Sequence, residues 1–505
     1  MSQIEGMLRF RDGAAAVVAP EHIVEESALL DQYGKDHSFV SGRSPSLVVF
    51  PETKEHVQAI VRLANQFMVP LTPVSSGTPR FNGDAVPCHG GVVVDFGRMK
   101  RILKIDPKNR YAMFEPGVTY GELVPELRKQ GLRLDMPLLP PVSKSVLASR
   151  LEREPVLIPK YQYDYLDPLL TLEVVYGTGD DFRTGSASGP GTLETLKSDK
   201  VNPWGPGSID FFRFVSGAQG TMGLVTWIVT KTEVLPSMQK LYFIPLHDSA
   251  ALAAPLQRLL RQRVVDECLA VDNVYLASIL AEDRLSDFDG LRRSLPAWTI
   301  IACVAGYERR PDERVAIQER YLINICRDLG LQPLLHLPGA EGKEDRLLRL
   351  LSEPWTGTPY WKLRRKGSCR DLFFLSPLSR VPEFVSLVAG MVSHSRYPAD
   401  DVGYYIQPMV QGRGCHCEIN LPCDETDVGA MDALRQLFMT ASETLMANGA
   451  FFSRPYGPWA DMVYRQNSEE VKALKRPKST TSPCLDPLGS LKRRHRTKAA
   501  PKKVL

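Results

Sequence analysis

Apolar residues near the start of the chain change from a strand-like to a helix-like spacing and back. Residues Ser46–Phe50 form a short apolar run typical of a strand, and a second such run reaches Val74. Between the two runs, Thr53 can cap a helix. The apolar positions that follow have the i, i+3, i+4, i+7 spacing of an amphipathic helix: Val57, Ile60, Val61 and Ala64. This order predicts a βαβ unit, and hence an α/β element at the start of the first domain.

The remaining pattern predicts two groups of elements. Up to residue 235, we expect strands at 91–95, 102–105, 111–115 and 171–177, a helix from 117 to 127, a long loop at 184–207, and a turn followed by a strand within 221–235. Beyond it, we expect helices at 248–263 and 310–329 and strands at 299–305, 403–410 and 416–421. This second group is typical of an α+β domain at about 240–440.

Length indicates the number of domains, and the distribution of charge argues against a nucleic-acid partner. A chain of 505 residues exceeds one ordinary core, so two intertwined domains are expected. The net charge of +4 comes from the last thirty residues, which hold nine of the 62 Lys and Arg but one of the 58 Asp and Glu. The rest carries 53 basic and 57 acidic residues, a net charge of −4. We therefore expect no nucleic-acid partner.

Cysteine usage and hydropathy bear on the compartment. Nine cysteines are widely spaced, which favours reduced thiols and a cytoplasmic location. No run of 18 apolar residues occurs, so no membrane span is expected. Residues 1–18 contain Arg9, Arg11 and Asp12 and are not typical of a signal peptide.

A loop at Pro73–Gly83 is the first candidate site. It follows a strand and contains two glycines, two serines and a threonine. Glycine lets a backbone approach a ligand closely, so such a loop can place N–H groups and hydroxyls against a pyrophosphate. It matches neither a GxGxxG nor a Walker motif, and taken alone it is more typical of a surface loop.

The order of motifs around this loop resembles the FAD-binding domain of the vanillyl-alcohol oxidase / p-cresol methylhydroxylase (PCMH) family. The motifs are Pro73-Val-Ser-Ser-Gly77, Val93-Val-Asp95 with Met99 and Ile102, Glu115-Pro-Gly-Val-Thr119, Ser145-Val-Leu-Ala-Ser149, Glu173-Val-Val175 with Arg183-Thr-Gly185, and Gln219-Gly-Thr-Met-Gly-Leu-Val-Thr226. The resemblance covers residues 42–236 and continues in patches to about 470.

The resemblance implies an α+β fold, with a two-subdomain PCMH-type FAD-binding domain and an α+β substrate cap. The implied organisation is an N-terminal arm at 1–41, the FAD-binding domain at 42–240, the cap at 241–440, a return to the FAD-binding domain at 441–475, and a basic tail at 476–505. That tail lacks the family's usual ending, so we expect it to be disordered or the product of a reading-frame shift.

The resemblance also implies an FAD cofactor and the residues around it. They are Pro73, Ser75, Ser76, Gly77, Thr78 and Gly83 in the loop, Ser145 and Ser149, the backbone of Gly223, Leu224 and Val225, and His416. A flavin accepts a hydride, which no side chain can do. Whether FAD is attached covalently stays open. His416 is the candidate for attachment, and a shift in register would nominate Cys417.

The strand around His416 also raises the question of a metal. Cys415 and Cys417 point to one side of a strand and His416 to the other, so these neighbours cannot surround one tetrahedral ion. We therefore expect no metal, and a core strand without function is an equal alternative. Related lactate- and glycolate-oxidising flavoproteins carry a His-x6-His pair here, whereas this chain has Met409 at the first position. That difference weakens the hydroxyacid interpretation.

A third candidate site lies at Gly449–Asp461. By resemblance, Arg454 stabilises an anionic substrate oxygen or the reduced flavin. Tyr456 and Tyr404 are the candidates to assist proton transfer. Ser453 and Tyr456 replace the family's tyrosine and histidine, which argues against a phenolic substrate. The aspartate of the phenol-oxidising relatives is also not carried over.

We predict an FAD-dependent oxidoreductase that transfers a hydride from an alcohol, benzylic or 2-hydroxyacid carbon of a small molecule to flavin N5. One alternative is a D-lactate/glycolate-type dehydrogenase, and another is a non-catalytic flavoprotein subunit of a redox complex. The sequence leaves open the electron acceptor (oxygen, a cytochrome or another carrier) and the oligomeric state, a homodimer included.

Overall fold

The secondary structure follows the expected α+β order. The computed structural model describes residues 3–83, 85–160, 167–185, 192–196, 212–282 and 285–466. Its strands are β1 Ile23–Val24, β2 Leu47–Val49, β3 Leu71–Val74, β4 Val92–Asp95, β5 Ile102–Asp106, β6 Tyr111–Phe114, β7 Leu132–Arg133, β8 Leu169–Tyr176, β9 Asp181–Arg183, β10 Gly223–Lys231, β11 Glu233–Val234, β12 Met238–Leu246, β13 Glu267–Asp272, β14 Trp298–Gly306, β15 Ser368–Ser376, β16 Gly403–Met409 and β17 Gly414–Cys423. Its helices are α1 Gln3–Val17, α2 Ser27–Asp31, α3 Lys54–Phe67, α4 Tyr120–Lys129, α5 Val146–Leu151, α6 Thr192–Leu196, α7 Phe212–Val215, α8 Ala253–Arg261, α9 Asn273–Leu280, α10 Leu285–Ser294, α11 Pro311–Asp328, α12 Glu344–Ser352, α13 Val381–Ser393, α14 Val428–Ala447 and α15 Pro458–Gln466.

The predicted βαβ unit is confirmed. The parallel strands β2, β4 and β3 lie side by side, and β1 extends the sheet antiparallel to β2. Thr53 caps α3, because its hydroxyl accepts a hydrogen bond from the backbone N–H of His56. The four apolar positions predicted for the buried face of α3 are all fully buried. They pack between the sheet and Phe10 of α1, so this unit holds the β3 loop in place.

A second sheet carries the other motifs of the first domain. It is antiparallel, in the order β5-β6-β10-β8-β9, and it packs against α4 and α5. The predicted helix from residue 117 begins instead at Tyr120, since Thr119 is extended and forms a capping box with Glu122.

We expect the Thr119→Ala variant to lower the free energy of unfolding by about 1 kcal/mol, because it removes the hydroxyl that accepts from the backbone N–H of Glu122. Chemical denaturation checks this value. Thr426→Ala, at an exposed turn, is the control, and an unchanged stability in Thr119→Ala would contradict the role of the cap.

The remainder is built on a six-stranded antiparallel sheet in the order β12-β14-β13-β16-β17-β15. One face packs on α8, α11, α13 and α14, and the other packs on α9 and α12. Successive side chains of a strand point to opposite faces, so the register decides which residues of β15, β16 and β17 face the rest of the molecule.

Two predicted segments lie largely or wholly outside the described part of the chain. The loop expected at 184–207 contains the short helix α6, and most of its other residues lie outside the described part of the chain. The basic tail also lies outside it. In the segments that the structure describes, no helix combines the length and apolar character that a membrane span requires.

Candidate functional site

A deep cleft separates the two halves of the molecule, with an empty volume of about 1670 Å³ including its open mouth. One wall comes from the loop after β3, the segment around α5 and the turn before β10. The opposite wall comes from β15, β16 and β17, with additions from α9 and the 360–362 segment. The cavity therefore lies between the glycine- and serine-rich loops and the six-stranded sheet.

The loop after β3 is tied to the segment before α5. The backbone N–H of Gly77 donates to the carbonyl of Ser143 at 2.9 Å, and the Ser143 hydroxyl donates to the carbonyl of Thr78 at 2.7 Å. The N–H of Ser145 donates to Oγ of Ser76 at 3.1 Å. Among the described residues, none accepts a hydrogen bond from the N–H of Ser75 or Ser76. These two N–H groups are therefore available to an anionic ligand.

Backbone also forms the neighbouring part of this wall. Gly220 has φ +74°, and a Cβ there would lie 2.4 Å from the ring of Pro73. A Cβ at Gly223 would lie 2.4 Å from Val174. Side chains are therefore excluded at both positions, and the main chain itself faces the cleft.

The Gly220→Ala variant is expected to bind FAD at least about tenfold more weakly, because the added methyl overlaps Pro73 and displaces the cleft wall. The measurement is the dissociation constant of FAD from the apoprotein. Gly131→Ala is the matched control, since Gly131 has φ +69° but a Cβ there would meet nothing within 4 Å. Equal FAD affinity in the two variants would show that the Gly220 wall is not part of the cofactor site.

The structure brings eight of the predicted site residues to the cleft. They are Pro73, Ser75, Ser76, Gly223, Leu224, Val225, Arg454 and Tyr456. Six others lie behind or beside it: Gly77, Thr78, Gly83, Ser145, Ser149 and His416. Gly77 and Thr78 bond to Ser143, as described above, and the N–H of Gly83 donates to Asp36.

Ser145 and Ser149 have structural partners one layer behind the cleft. The Ser145 hydroxyl donates to the carbonyl of Pro116 at 2.6 Å and caps α5. The Ser149 hydroxyl donates to Oε2 of Glu154 at 2.6 Å. Both serines thus support cleft residues without lining the cleft themselves.

The structure does not bring Tyr404 to the cleft. It faces the side of the sheet that packs on α8, α11, α13 and α14, and its ring centroid lies 5.9 Å from that of Trp298. Its neighbour Tyr405 lines the cleft instead, and its hydroxyl donates to Gln407 at 2.8 Å. The predicted strand was right, but the sequence alone did not define which face of it points to the site.

Arg454 is buried at the cleft, with 7% of its surface exposed. Its guanidinium group lies 4.1 Å from the ring centroid of Phe373. Within the described part of the chain, no residue accepts a hydrogen bond from it. Burial opposes ionisation of nearby Glu154, but Lys144 and Arg454 lower its pKa to about 2. Arg454 therefore keeps its hydrogen-bond donors for a ligand while its charge is partly balanced.

Four polar residues of the opposite wall form what we call the floor cluster: Lys362, Asp371, Glu418 and Asn420. Nζ of Lys362 donates to Asp371 at 2.5 Å and to Glu418 at 2.7 Å. Nδ2 of Asn420 donates to the same two carboxylates, at 2.6 and 2.9 Å. Lys362, Asp371 and Glu418 line the cleft.

The floor cluster shifts the ionisation of its members. Burial opposes the charge of Lys362, but the two carboxylates raise its pKa well above the usual value. Burial raises the pKa of Asp371. It also opposes ionisation of Glu418, but Lys362 and His416 together hold the pKa of that carboxyl well below its usual range. Burial lowers the pKa of His416, so its ring is neutral and, protonated at Nε2, donates to Glu418 at 3.2 Å.

Sequence reasoning missed the floor cluster. The pairing of β15 with β17 brings Asp371 together with Glu418 and Asn420 from distant positions, and Lys362 joins them from the segment before β15. One signal was present, because Glu418 and Asn420 alternate with apolar residues on the same side of the strand as His416. Two polar residues on one face of a core strand indicate a polar cavity or a buried network.

The expected arrangement of cysteines is present, with Cys415 and Cys417 on one side of β17, their sulfurs 3.8 Å apart, and His416 on the other. Over the described ranges, no group of His, Cys, Asp and Glu side chains is placed to hold a metal ion. Asp135, which precedes the cleft segment, is paired with Arg150 at 2.9 Å away from the cleft.

Comparison with known sequences identifies the cofactor. A family model described as an FAD binding domain matches residues 45–143. An uncharacterized FAD-linked oxidoreductase of Mycobacterium tuberculosis is 22% identical over 75% of this chain and 77% of its own length. The flavoprotein subunit of 4-cresol dehydrogenase from Pseudomonas putida is 27% identical over 45% of this chain and 43% of its own. D-2-hydroxyglutarate dehydrogenase of Stutzerimonas stutzeri is 30% identical over 45% and 46%.

Comparison with solved structures extends the similarity of fold to nearly the whole chain. The crystal structure of p-cresol methylhydroxylase with substrate bound superposes with a TM-score of 0.79, covering 95% of both chains at 19% sequence identity. The expected PCMH-type α+β architecture is thereby confirmed.

Proposed function

We propose that this chain, which matches an FAD binding domain over residues 45–143 and shares the fold of p-cresol methylhydroxylase, oxidises a small aromatic substrate at an alcohol or benzylic carbon. FAD bound in the cleft supplies the hydride acceptor. The N–H groups of Ser75 and Ser76 and the backbone at Gly220 and Gly223 would hold this cofactor. Their free donors and the absence of side chains suit a pyrophosphate and a flat ring system.

The observation that carries this proposal is the buried guanidinium of Arg454. Oxidation of an alcohol carbon removes a proton and a hydride, so negative charge develops on the substrate oxygen before the carbonyl forms. Arg454 has unused N–H donors and lies in a buried site, where a fixed positive charge stabilises such an oxygen most strongly. Tyr456 lines the cleft two residues away and is proposed to orient the same oxygen.

The aromatic walls support a flat substrate body. Tyr275, Tyr360, Phe373 and Tyr405 line the wall of the cleft opposite the loop after β3. Tyr275 and Tyr405 are stacked, with their ring centroids 5.4 Å apart. Aromatic surfaces of this kind pack well against another ring and exclude water from the reacting carbon.

A 2-hydroxyacid substrate is the second candidate. The similarity to D-2-hydroxyglutarate dehydrogenase supports it, and Arg454 could bind the substrate carboxylate. Met409 in place of the first histidine of the His-x6-His pair counts against it.

Anaerobic mixing of the flavin-loaded protein with benzyl alcohol, 4-methoxybenzyl alcohol, glycolate and D-lactate tests the proposal. We expect the aryl alcohols to abolish the absorption bands of oxidised flavin, and deuterium at the carbinol carbon to slow the change. Bleaching by the hydroxyacids alone would establish the second candidate. A flavin that none of the four reduces would contradict both.

A further inference from the structure

Residues 36–40, which we call the strap, connect the two halves of the molecule from outside the cleft. They lie between α2 and β2 and belong to no helix or strand. None of the five lines the cleft. A segment without regular structure is held by its side-chain and loop contacts, so the partners of the strap indicate what it does.

The first attachment of the strap is to the loop after β3. The backbone N–H of Gly83 donates to Oδ2 of Asp36 at 2.6 Å, and the N–H of His37 donates to the carbonyl of Arg80 at 3.0 Å. The ring centroid of His37 lies 5.1 Å from that of Phe81. Arg80 and Phe81 line the cleft. The strap therefore holds the outer side of a segment whose inner side faces the ligand.

The second attachment is a hydrogen-bond network at the six-stranded sheet. Nδ1 of His37 lies 2.7 Å from Oγ of Ser368, at the start of β15. The Ser368 hydroxyl donates its one proton to Glu425 at 2.8 Å and accepts from Arg370 at 2.6 Å. Nδ1 of His37 is therefore the donor to Ser368. One side chain of the strap thus contacts both halves, with its ring on Phe81 and its nitrogen on β15.

Phe39 anchors the strap to the same half by burial. It belongs to the core between the six-stranded sheet and the helices that cover it. Its ring meets that of Phe438 of α14 edge-on, with the centroids 5.1 Å apart. The guanidinium groups of Arg370 and Arg435 lie 5.1 and 4.9 Å from its centre. Aromatic and cation–π contacts of this kind fix the ring in place.

Two glycines show how closely the strap fits its surroundings. A Cβ at Gly83 would lie 2.2 Å from a methyl carbon of Val40, and a Cβ at Gly457 would lie 2.7 Å from the same atom. A side chain at either position would displace the strap. Gly457 directly follows the segment with Arg454 and Tyr456. Val40 therefore lies between the loop after β3 and that segment.

We propose that the strap is a positioning element that fixes residues 80–83 to the six-stranded sheet, and so keeps this side of the cleft closed over FAD. The inference goes beyond the proposed reaction and rests on the proposed function only in placing FAD in the cleft. A strap that merely completes the local packing would affect its immediate neighbours alone. A connecting strap transmits the loss of one attachment to the other end.

Hydrogen exchange of the full-length chain tests this transmission without turnover. Phe39→Ala removes the anchor on α14 and leaves the hydrogen bonds to the loop after β3 in place. We expect amide exchange of residues 80–83 to rise at least about tenfold, because the loop loses its far attachment and opens more often. Phe384→Ala is the matched control, since Phe384 is buried in the same core but packs on Phe374 of β15.

Two outcomes of this measurement would overturn the proposal. One is a rise of exchange confined to the residues around Phe438. The other is an equal rise at residues 80–83 in the Phe39→Ala and Phe384→Ala variants, which would show a general loss of stability.

The rate of FAD release is a second measurement that does not depend on the folding of Phe39→Ala. Asp36→Ala removes the acceptor of the Gly83 N–H and is expected to release FAD at least about tenfold faster, as the loss of one charge-assisted hydrogen bond allows. Asp36→Asn keeps an acceptor oxygen at the same place and should release FAD at the wild-type rate. Release from Asp36→Ala at the wild-type rate, or from Asp36→Asn as fast as from Asp36→Ala, would contradict the role of this bond.

The double variant distinguishes one connection from two independent contacts. Asp36→Ala combined with Phe39→Ala should release FAD no faster than the faster single variant, because either substitution already breaks the same connection. Multiplication of the two single effects would show that the two residues act separately and would eliminate the strap.

These measurements separate the strap from the proposed reaction. Hydrogen exchange is recorded on the chain itself, so a flavin that no alcohol reduces leaves the transmission measurable. Conversely, reduction of the flavin by an aryl alcohol together with unchanged exchange at residues 80–83 in Phe39→Ala would retain the proposed function and eliminate the strap.

Discussion

The Arg454→Ala variant is expected to lower kcat/KM for the aryl alcohol by about 10²–10³-fold, equivalent to about 2.7–4 kcal/mol. The guanidinium group is buried beside Phe373 and keeps its donors free of intramolecular acceptors in the described part of the chain. Its removal leaves the developing charge on the substrate oxygen without a fixed partner. FAD content is expected to stay at the wild-type level, because the backbone that we propose to hold the cofactor lies in the wall around Ser75 and Gly220.

Steady-state kinetics and rapid flavin reduction measure this effect. Arg454→Lys is expected to recover part of the lost rate, since lysine restores the charge but not the forked donor geometry. Arg413→Ala removes an exposed arginine that does not line the cleft, and should leave the kinetics unchanged. Full activity in Arg454→Ala would remove this residue from the proposed reaction.

The Lys362→Met variant is expected to lose about 3–5 kcal/mol of folding stability at neutral pH. Methionine fills much of the volume of lysine but leaves Asp371 and Glu418 buried without their shared cation. Lys343→Met, which removes a lysine that pairs with the exposed Glu282, is the surface control and should change stability by no more than about 0.5 kcal/mol.

This loss is expected to depend on pH in a defined direction. The folded protein holds the pKa of Glu418 below its ordinary value of 4.5, so the carboxylate contributes stability above that pH and loses it as the pH falls. The difference between wild type and Lys362→Met should therefore shrink as the pH falls, because protonated carboxyls no longer need the lysine. Urea denaturation at several pH values checks this trend, and a difference that stays constant or grows on acidification would contradict the ion-pair account.

The parts of the fold that depend on local pattern could be predicted from the sequence. The spacing of apolar residues in α3 and its cap at Thr53 identify the βαβ unit, because both signals lie within one helix. The glycine- and serine-rich loop at Ser75 and Ser76 could be proposed as a cofactor loop only through the order of motifs around it. The same loop composition occurs on many surfaces, so local chemistry alone was insufficient.

The cleft wall formed by β15, β16 and β17 could not be predicted, because its residues meet through long-range strand pairing. Helix α13 and strand β16 lie between Asp371 and Glu418 in the sequence, and the register of β15 with β17 decides that they are neighbours. Tyr404 and Tyr405 are adjacent on β16, so their side chains point to opposite faces and an error of one residue selects the wrong one. His416 was correctly placed on the face opposite Cys417, but its contact with Glu418 depends on the folded strand.

The absorption spectrum of the purified chain, recorded before and after acid precipitation, is the most direct test that this cleft holds FAD. We predict the bands of oxidised flavin before precipitation. After it, we predict the colour in the supernatant, because the His416 ring is 1% exposed, bonded to Glu418 and outside the cleft lining. A protein that is colourless and takes up no added FAD would contradict the central claim.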